Sequence, residues 1–213
     1  MRLVLASNNA KKLDELQAML GTLPVRLVTQ GSLGIAEAEE PYSTFVENAL
    51  AKARHAALAA GGAAIADDSG LCVDALGGAP GVISAHFAGA GAGAVAAHGS
   101  REATRAAQDA ANNRCLLDRL QGITNRRARF VSTLVALRSA NDPEPLIAFG
   151  RWEGEILHAP HGEGGFGYDP LMFIPHLNCA AAELSPAQKN AVSHRGLAAA
   201  QMSVLLRDVW GWR

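Results

Sequence analysis

The stretch Ala64-Ile65-Ala66-Asp67-Asp68-Ser69-Gly70-Leu71 decides how the rest of the chain is read. Ala63 to Ala66 is an apolar approach and reads as a short buried strand. That strand ends in two carboxylates, a hydroxyl and a glycine. Burying an unpaired carboxylate is costly, because desolvation disfavours the charged form. Adjacent aspartates at the end of an apolar strand therefore imply a polar cleft, with a cation as a candidate counter-charge. Neighbouring side chains of an extended strand point to opposite faces. One aspartate is then expected to face the chemistry while the other supports it by hydrogen bonding. Asp, Ser and Gly also make ordinary turns, so the flanking chain has to separate the two readings.

A chain of 213 residues can bury a core as one large domain or as two small lobes. The formal net charge of −1 gives no global field suited to nucleic acid or to an anionic membrane. A small anionic substrate can still be met by local Lys and Arg clusters. Cys72, Cys115 and Cys179 are odd in number and widely spaced, unlike a disulfide framework or a zinc site. A reducing cytoplasm is the expected setting. The apolar start, Met1 to Ala6, is too short for a signal peptide or a spanning helix. The Ala/Gly-rich run 88–97 is expected to be a mobile surface insertion.

Leu3 to Ala6 reads as an opening buried strand, followed by Ser7-Asn8-Asn9 and a helix with Leu13, Leu16, Met19 and Leu20 on one face. Ser and Asn suit the N-cap and Gly21 the stop. A strand–loop–helix start aims backbone amides and a positive helix end at one spot, which suits a phosphate, and Lys12 adds a cation. Walker A and dinucleotide glycine spacings are absent. Val25 to Val28 is the next strand. Glu37-Ala38-Glu39-Glu40-Pro41 reads either as solvated surface or as a source of oxygen ligands for a hard cation. Thr44 is placed to cap a helix running to about Ala60, with Glu47 completing a capping box. Asn48, Lys52 and Arg54 interrupt its Ala-rich surface and are expected in solvent, Asn48 being the one that best reaches a cleft.

Leu71-Cys72-Val73 reads as a further strand, and Asp74 to Gly81 as a glycine-rich loop. His86 lacks a metal-spaced partner and is taken as structural. Residues Arg101 to Leu120 read as a helix. Ala128 to Leu137 and Leu146 to Leu157 form a hairpin about Asn141-Asp142-Pro143, which makes the sheet mixed. In Gly162 to Pro170, glycines surround Phe166 and Tyr168, a way to sandwich a flat base. Ser185-Pro186 starts the last helical region, where Lys189, His194 and Arg195 form a cationic group able to hold phosphates or a base edge.

Six stretches in this order resemble one family. They are Ser7-Asn8-Asn9-Ala10-Lys11-Lys12-Leu13-Asp14-Glu15, Phe45-Val46-Glu47-Asn48-Ala49, Ala66-Asp67-Asp68-Ser69-Gly70-Leu71, Gly77-Gly78-Ala79-Pro80-Gly81-Val82, Gly165-Phe166-Gly167-Tyr168-Asp169-Pro170 and Ser193-His194-Arg195-Gly196. Together they resemble the noncanonical purine nucleotide pyrophosphatases, the Ham1/RdgB-like ITP/XTP (or dITP/XTP) pyrophosphatases. The stretch 89–101 is longer and richer in Ala and Gly than the family pattern.

The resemblance implies a single ITPase-like domain over 1–213, α/β, with a mixed central sheet flanked by helices and two lobes with a cleft. It implies a Mg²⁺-dependent, homodimeric, cytoplasmic hydrolase. The reaction would cleave ITP, dITP or XTP between the α- and β-phosphates and clear deaminated purines from the nucleotide pool. It also implies roles. Ser7, Asn8, Asn9, Ala10, Lys11 and Lys12 would bind phosphate, with Lys189 a second phosphate contact. Asp68 would be general base and metal ligand together with Glu39 or Glu40, and Asp67 would support it or be an additional ligand. Ser69 would touch substrate, Phe166 would stack on the base, and the backbone of Gly167, Tyr168 and Asp169 would close over the ring. His194 and Arg195 would read the 6-oxo edge. A haloacid-dehalogenase-type hydrolase would instead need Asp-x-Asp after the first strand, which this chain lacks.

Overall fold

The computed structural model describes residues 1–21, 23–92 and 101–213. Half of the run 88–97, and most of the stretch 89–101, therefore lies outside the described residues. The strands are β1 Arg2–Leu5, β2 Arg26–Thr29, β3 Ala64–Val73, β4 Arg127–Leu137, β5 Leu146–Ile156, β6 Met172–Ile174 and β7 Cys179–Ala180. The helices are α1 Ala10–Met19, α2 Phe45–Ala60, α3 Arg101–Arg119, α4 Pro186–Val192 and α5 His194–Asp208. By hydrogen bonding the strands run in the order β2-β1-β3-β4-β5-β6-β7. β1 pairs in parallel with β2 and β3, whereas β6 pairs antiparallel with β5 and β7, so the sheet is mixed as expected.

The chain forms two compact units, both built from discontinuous segments. Unit 1 comprises Met1–Ser69, Val131–Arg151 and Asn190–Arg213; unit 2 comprises Gly70–Phe130 and Trp152–Lys189. In unit 1 the strand alternation sorts side chains onto two faces. Leu3, Leu5, Ile65, Leu134 and Ala136 pack with Leu16 and Leu20 of α1 and Ala198, Met202 and Leu206 of α5. Val4, Ala6, Ala64, Ala66, Val135 and Leu137 pack with Ala49, Ala53, Ala56 and Ala57 of α2. Odd positions of β3 thus face α1 and α5, and even positions face α2. Trp210 and Trp212 fold onto the first of these clusters as an edge-to-face pair with centroids 4.9 Å apart.

Local signals set the helix ends. Asn9 caps α1, accepting from the backbone N–H of Lys11 and Lys12. Thr44 caps α2, accepting from the Glu47 N–H at 3.4 Å and donating its hydroxyl to Glu47 Oε2 at 2.5 Å. Pro186 opens α4, and Ser193 Oγ accepts from the Gly196 N–H at 3.2 Å to start α5. The last helical region is therefore two helices, because a serine cap interrupts it.

One expectation changes at the centre. β3 does not stop at Ala66 and resume at Leu71; it runs unbroken through Asp67-Asp68-Ser69-Gly70. Both carboxylates find partners on the faces they point to, so the backbone has no need to leave the sheet for solvent.

In unit 2, Leu71, Val73, Leu116, Leu171, Met172 and Ile174 are fully buried. Arg126 ties neighbouring carbonyls together, donating to Ile156 O at 2.5 Å, Leu157 O at 2.8 Å and Leu120 O at 3.2 Å.

Candidate functional site

Asp67, an odd position of β3, points toward α1 and α5. Its Oδ1 accepts from Ser132 Oγ of β4 at 2.8 Å. Its Oδ2 accepts from Lys12 Nζ at 2.9 Å, Arg195 Nη2 at 3.0 Å and Ser69 Oγ at 3.2 Å. Arg195 is 2% exposed, donates from Nη1 to Glu15 Oε2 at 2.5 Å and from Nη2 to Ser69 Oγ at 3.0 Å. Burial alone would raise the Asp67 pKa, but Arg195 and Lys12 outweigh it and hold the carboxyl well below the usual range. The same bargain works oppositely on its partners. Burial lowers Lys12 on balance despite Asp67, whereas Asp67 and Glu15 overcome burial and raise Arg195. Asp67 is thus a permanently charged hub that holds two cations in place.

Asp68, an even position, points toward α2. Lys52 Nζ donates to Asp68 Oδ1 at 2.7 Å, to Glu40 Oε2 at 3.1 Å and to Asp67 O at 3.3 Å. Lys52 is only 8% exposed and Asp68 only 5%. Burial dominates at Asp68: despite Lys52 its pKa is pushed up to about 6. Lys52 is raised, since Asp68 and Glu40 together outweigh its burial. Strand alternation sends the two adjacent aspartates to opposite faces, and the different partners there shift them in opposite directions.

The donor set fits a hard divalent cation. Asp68 Oδ2 is buried without a hydrogen-bond partner, an orphaned anionic oxygen of the kind Mg²⁺ takes up. Glu39 and Glu40 are both exposed, and Glu40 reaches the same ammonium as Asp68. Among the described residues no group of three His, Cys, Asp or Glu converges on a point. Mg²⁺ commonly keeps several waters and takes one or two carboxylates plus substrate oxygens, so a two-carboxylate site suffices.

The Ser7–Lys12 loop is tightly set. Asn9 N–H donates to Ser7 Oγ at 3.1 Å, and Asn8 Nδ2 donates to Glu37 Oε1 at 2.9 Å. Asn9 Oδ1 takes up the Lys11 and Lys12 amides, so part of the expected amide cradle is occupied by the cap itself. Ala10 and Lys11 are exposed. Gly31 lies close behind: a Cβ there would overlap Asn8 Oδ1.

The aromatic loop lies in unit 2. Phe166 N–H donates to Asp169 Oδ2 at 2.9 Å, and Lys189 Nζ donates to the same oxygen at 2.7 Å. That ammonium also stands 4.6 Å from the Phe166 ring centroid. Tyr168 is buried and donates its hydroxyl to Ser84 O at 2.8 Å, so any ligand contact from it must come through backbone. Burial raises the Tyr168 pKa.

Unit 1 thus brings together Lys12, Asp67, Asp68, Ser69 and Arg195, and unit 2 brings together Phe166, Asp169 and Lys189. Arg195 commits Nε, Nη1 and Nη2 to Asp67, Glu15 and Ser69; reading a base edge would require exchanging part of that network. His194 is buried at the first turn of α5. Lys52 was expected in solvent and is instead buried against Asp68. It lies four residues after Asn48, inside the stripe of Ala49, Ala53 and Ala56, and that periodicity was the available signal. Asn48 bonds the Tyr42 backbone at both ends, a structural use. Ser132 carried no signal, being a small polar residue within a β-rich run.

Comparisons with known proteins agree over nearly the whole chain. The Ham1 family model matches residues 3–205. A dITP/XTP pyrophosphatase of Methylibium petroleiphilum is 70% identical over 210 residues, covering 99% of each chain. One of Burkholderia pseudomallei is 53% identical, covering 98% of this chain and 94% of the relative. Among solved structures, a HAM1 protein from Coxiella burnetii superposes with a TM-score of 0.83 at 42% identity, covering 97% of this chain and 98% of that one. The Staphylococcus aureus Ham1 protein gives 0.80 at 36%, with the same coverage. With both units matched by these relatives and the charged motifs in place, the chain belongs to the Ham1 family.

Proposed function

We propose that this protein hydrolyses noncanonical purine nucleoside triphosphates (dITP, ITP and XTP) to the monophosphate and pyrophosphate, removing deaminated purines from the nucleotide pool. The observation that carries the reading is the split Asp67–Asp68 pair: one carboxylate neutralised by two cations, its neighbour buried, raised and holding an orphaned oxygen. The high identity to proteins named dITP/XTP pyrophosphatase supports the substrate class.

Attack on a polyanion is opposed by repulsion, so cations must meet the phosphates first. Lys12 and the Ser7–Lys12 loop would serve there, with Lys189 a further phosphate contact. Asp68 would take the proton of the attacking water, and a pKa near 6 suits a base that works close to neutrality. Asp68 and Glu40 would hold Mg²⁺, which when bound polarises phosphoryl oxygens. Arg195 would hold Asp67 and Ser69 in register. Phe166 would stack on the purine with the backbone of Gly167 and Asp169 beside it, and His194 would supply a donor to a 6-oxo group. A mispaired buried donor costs about 1–3 kcal/mol, which disfavours the 6-amino group of adenine. Homodimeric assembly and a cytoplasmic location belong to the same reading, and size-exclusion chromatography with light scattering tests the first.

The test is to incubate the protein with ITP, XTP, GTP and ATP, with Mg²⁺ or with chelator, and to measure pyrophosphate and orthophosphate separately. Pyrophosphate should come from ITP and XTP, little from GTP or ATP, and none with chelator. Orthophosphate as the primary product would overturn α–β cleavage, and undiminished turnover in chelator would overturn the metal.

A further inference from the structure

We propose that Asp109 and Asn113 of α3 are positioning residues that fix the Phe166 ring for the purine, acting through the peptide groups of Gly167. The inference rests on Phe166 being the ring contact proposed above. Asp109 and Asn113 are four residues apart and share one face of the helix, one turn from each other. Asp109 Oδ2 accepts from the Gly167 N–H at 2.8 Å, and Asn113 Nδ2 donates to Gly167 O at 3.0 Å. A single residue beside the ring thus has both backbone polar groups held by one helix.

The loop needs such restraint. Phe166 is flanked by Gly165 and Gly167, with φ of +73° and +63°. Glycine reaches this left-handed region without a Cβ clash, and the same freedom leaves the loop able to move. Asp169 and Lys189 restrain Phe166 itself, through its N–H and its ring face. The α3 pair restrains the residue after it. Asn112, next on the helix, secures α3 in turn: it accepts from the Ala88 N–H at 3.0 Å and donates to Ala85 O at 3.0 Å and Ser84 O at 3.3 Å. Ser84 O also receives the Tyr168 hydroxyl, which closes a ring of hydrogen bonds around the aromatic loop. Pre-setting a contact ring in this way favours binding of the base and leaves the reacting phosphate unaffected.

The experiment measures pyrophosphate release from XTP for the unaltered protein, Asp109→Ala, Asp109→Asn, Asn113→Ala, Phe166→Ala and the Phe166→Ala/Asp109→Ala double variant. Asp109→Ala should raise KM about tenfold with kcat within about twofold, and Asn113→Ala should raise KM about threefold. Asp109→Asn keeps an acceptor oxygen and should recover most of the loss. Amide hydrogen exchange across 163–169 should quicken in Asp109→Ala. The double variant should be no worse than Phe166→Ala alone, because Asp109 acts through that ring. An unchanged KM in Asp109→Ala, a fall confined to kcat, or full additivity in the double variant would overturn the positioning role. Should Asp109→Ala not fold, a silent Asn113→Ala overturns it equally. Phe166→Ala with unchanged KM would refute the ring contact itself; raised KM there beside a silent Asp109→Ala refutes only the part played by α3.

Discussion

Substituting the two aspartates one at a time should produce opposite failures. Asp67→Asn keeps the shape but removes the charge that faces Lys12 and Arg195, both held at about 3 Å. Arg195 is 2% exposed, so its guanidinium cannot recover water in place of the lost partner. Removing one member of a buried ion pair costs about 3–5 kcal/mol. For a chain of this size each kcal/mol moves Tm by about 2–4 °C, so a fall of about 6–20 °C is expected. Asp68→Asn removes a carboxylate whose charged form the fold already disfavours, and whose Oδ2 has no hydrogen-bond partner. Lys52 loses one partner but keeps Glu40 Oε2 and Asp67 O, so the Tm of Asp68→Asn should fall less than that of Asp67→Asn, while XTP turnover falls by at least about 100-fold. Thermal melts of metal-free protein and pyrophosphate release under saturating XTP read the two properties separately. If Asp67→Asn melts within about 2 °C of the unaltered protein, or if Asp68→Asn proves the less stable of the two, the assignment of hub and base is wrong.

Lys52→Met leaves Asp68 and Glu40 without their shared ammonium; we expect about 2–4 kcal/mol less stability in chelator, partly restored by Mg²⁺, and a melt insensitive to Mg²⁺ would count against the shared site. Gly150→Ala sets a Cβ onto the His194 carbonyl oxygen and 2.8 Å from Ala198 N; this overpacking of β5 on α5 should cost about 1–3 kcal/mol or more by urea unfolding, with no activity left at raised temperature. Asp142 accepts from the Arg138 N–H at 2.8 Å and the Glu144 N–H at 3.0 Å. Burial raises its pKa, but these amides outweigh it and the net shift is downward from 3.8. A lowered carboxylate stabilises above its unfolded pKa and loses that contribution as pH falls through the folded value. Asp142→Ala should therefore cost about 1–3 kcal/mol near neutrality, and the gap to the unaltered protein should narrow below about pH 4; a gap that is constant with pH would exclude an ionic origin.

The strands and helices of unit 1 could be read from the sequence, because Leu3, Leu5, Ile65 and Leu16 obey simple periods and Asn9, Thr44 and Ser185 mark the helix starts. The split between Asp67 and Asp68 also followed from alternation. What could not be read was the pairing that makes the split work. Lys52 looks like any helical lysine until α2 packs on β3, and Glu15 meets Arg195 across 180 residues of chain. The unbroken course of β3 was missed for the same reason: whether Asp-Asp-Ser-Gly ends a strand depends on partners that sequence spacing does not reveal. Asp109 and Asn113 gave no local cue, since an acid and an amide on a polar helix face read as solvated surface.

The uninterrupted course of β3 has a consequence for how this gene can vary. Along a pleated ribbon, inserting or deleting a single amino acid upstream of Asp67 turns every later side chain over. The residue meant for Arg195 would then confront Lys52, and the one meant for Lys52 would confront Arg195. Point changes in 64–66 alter packing by degrees, whereas a one-codon gain or loss exchanges the duties of the two acids at a stroke. Length should therefore be held constant across this ribbon far more strictly than composition.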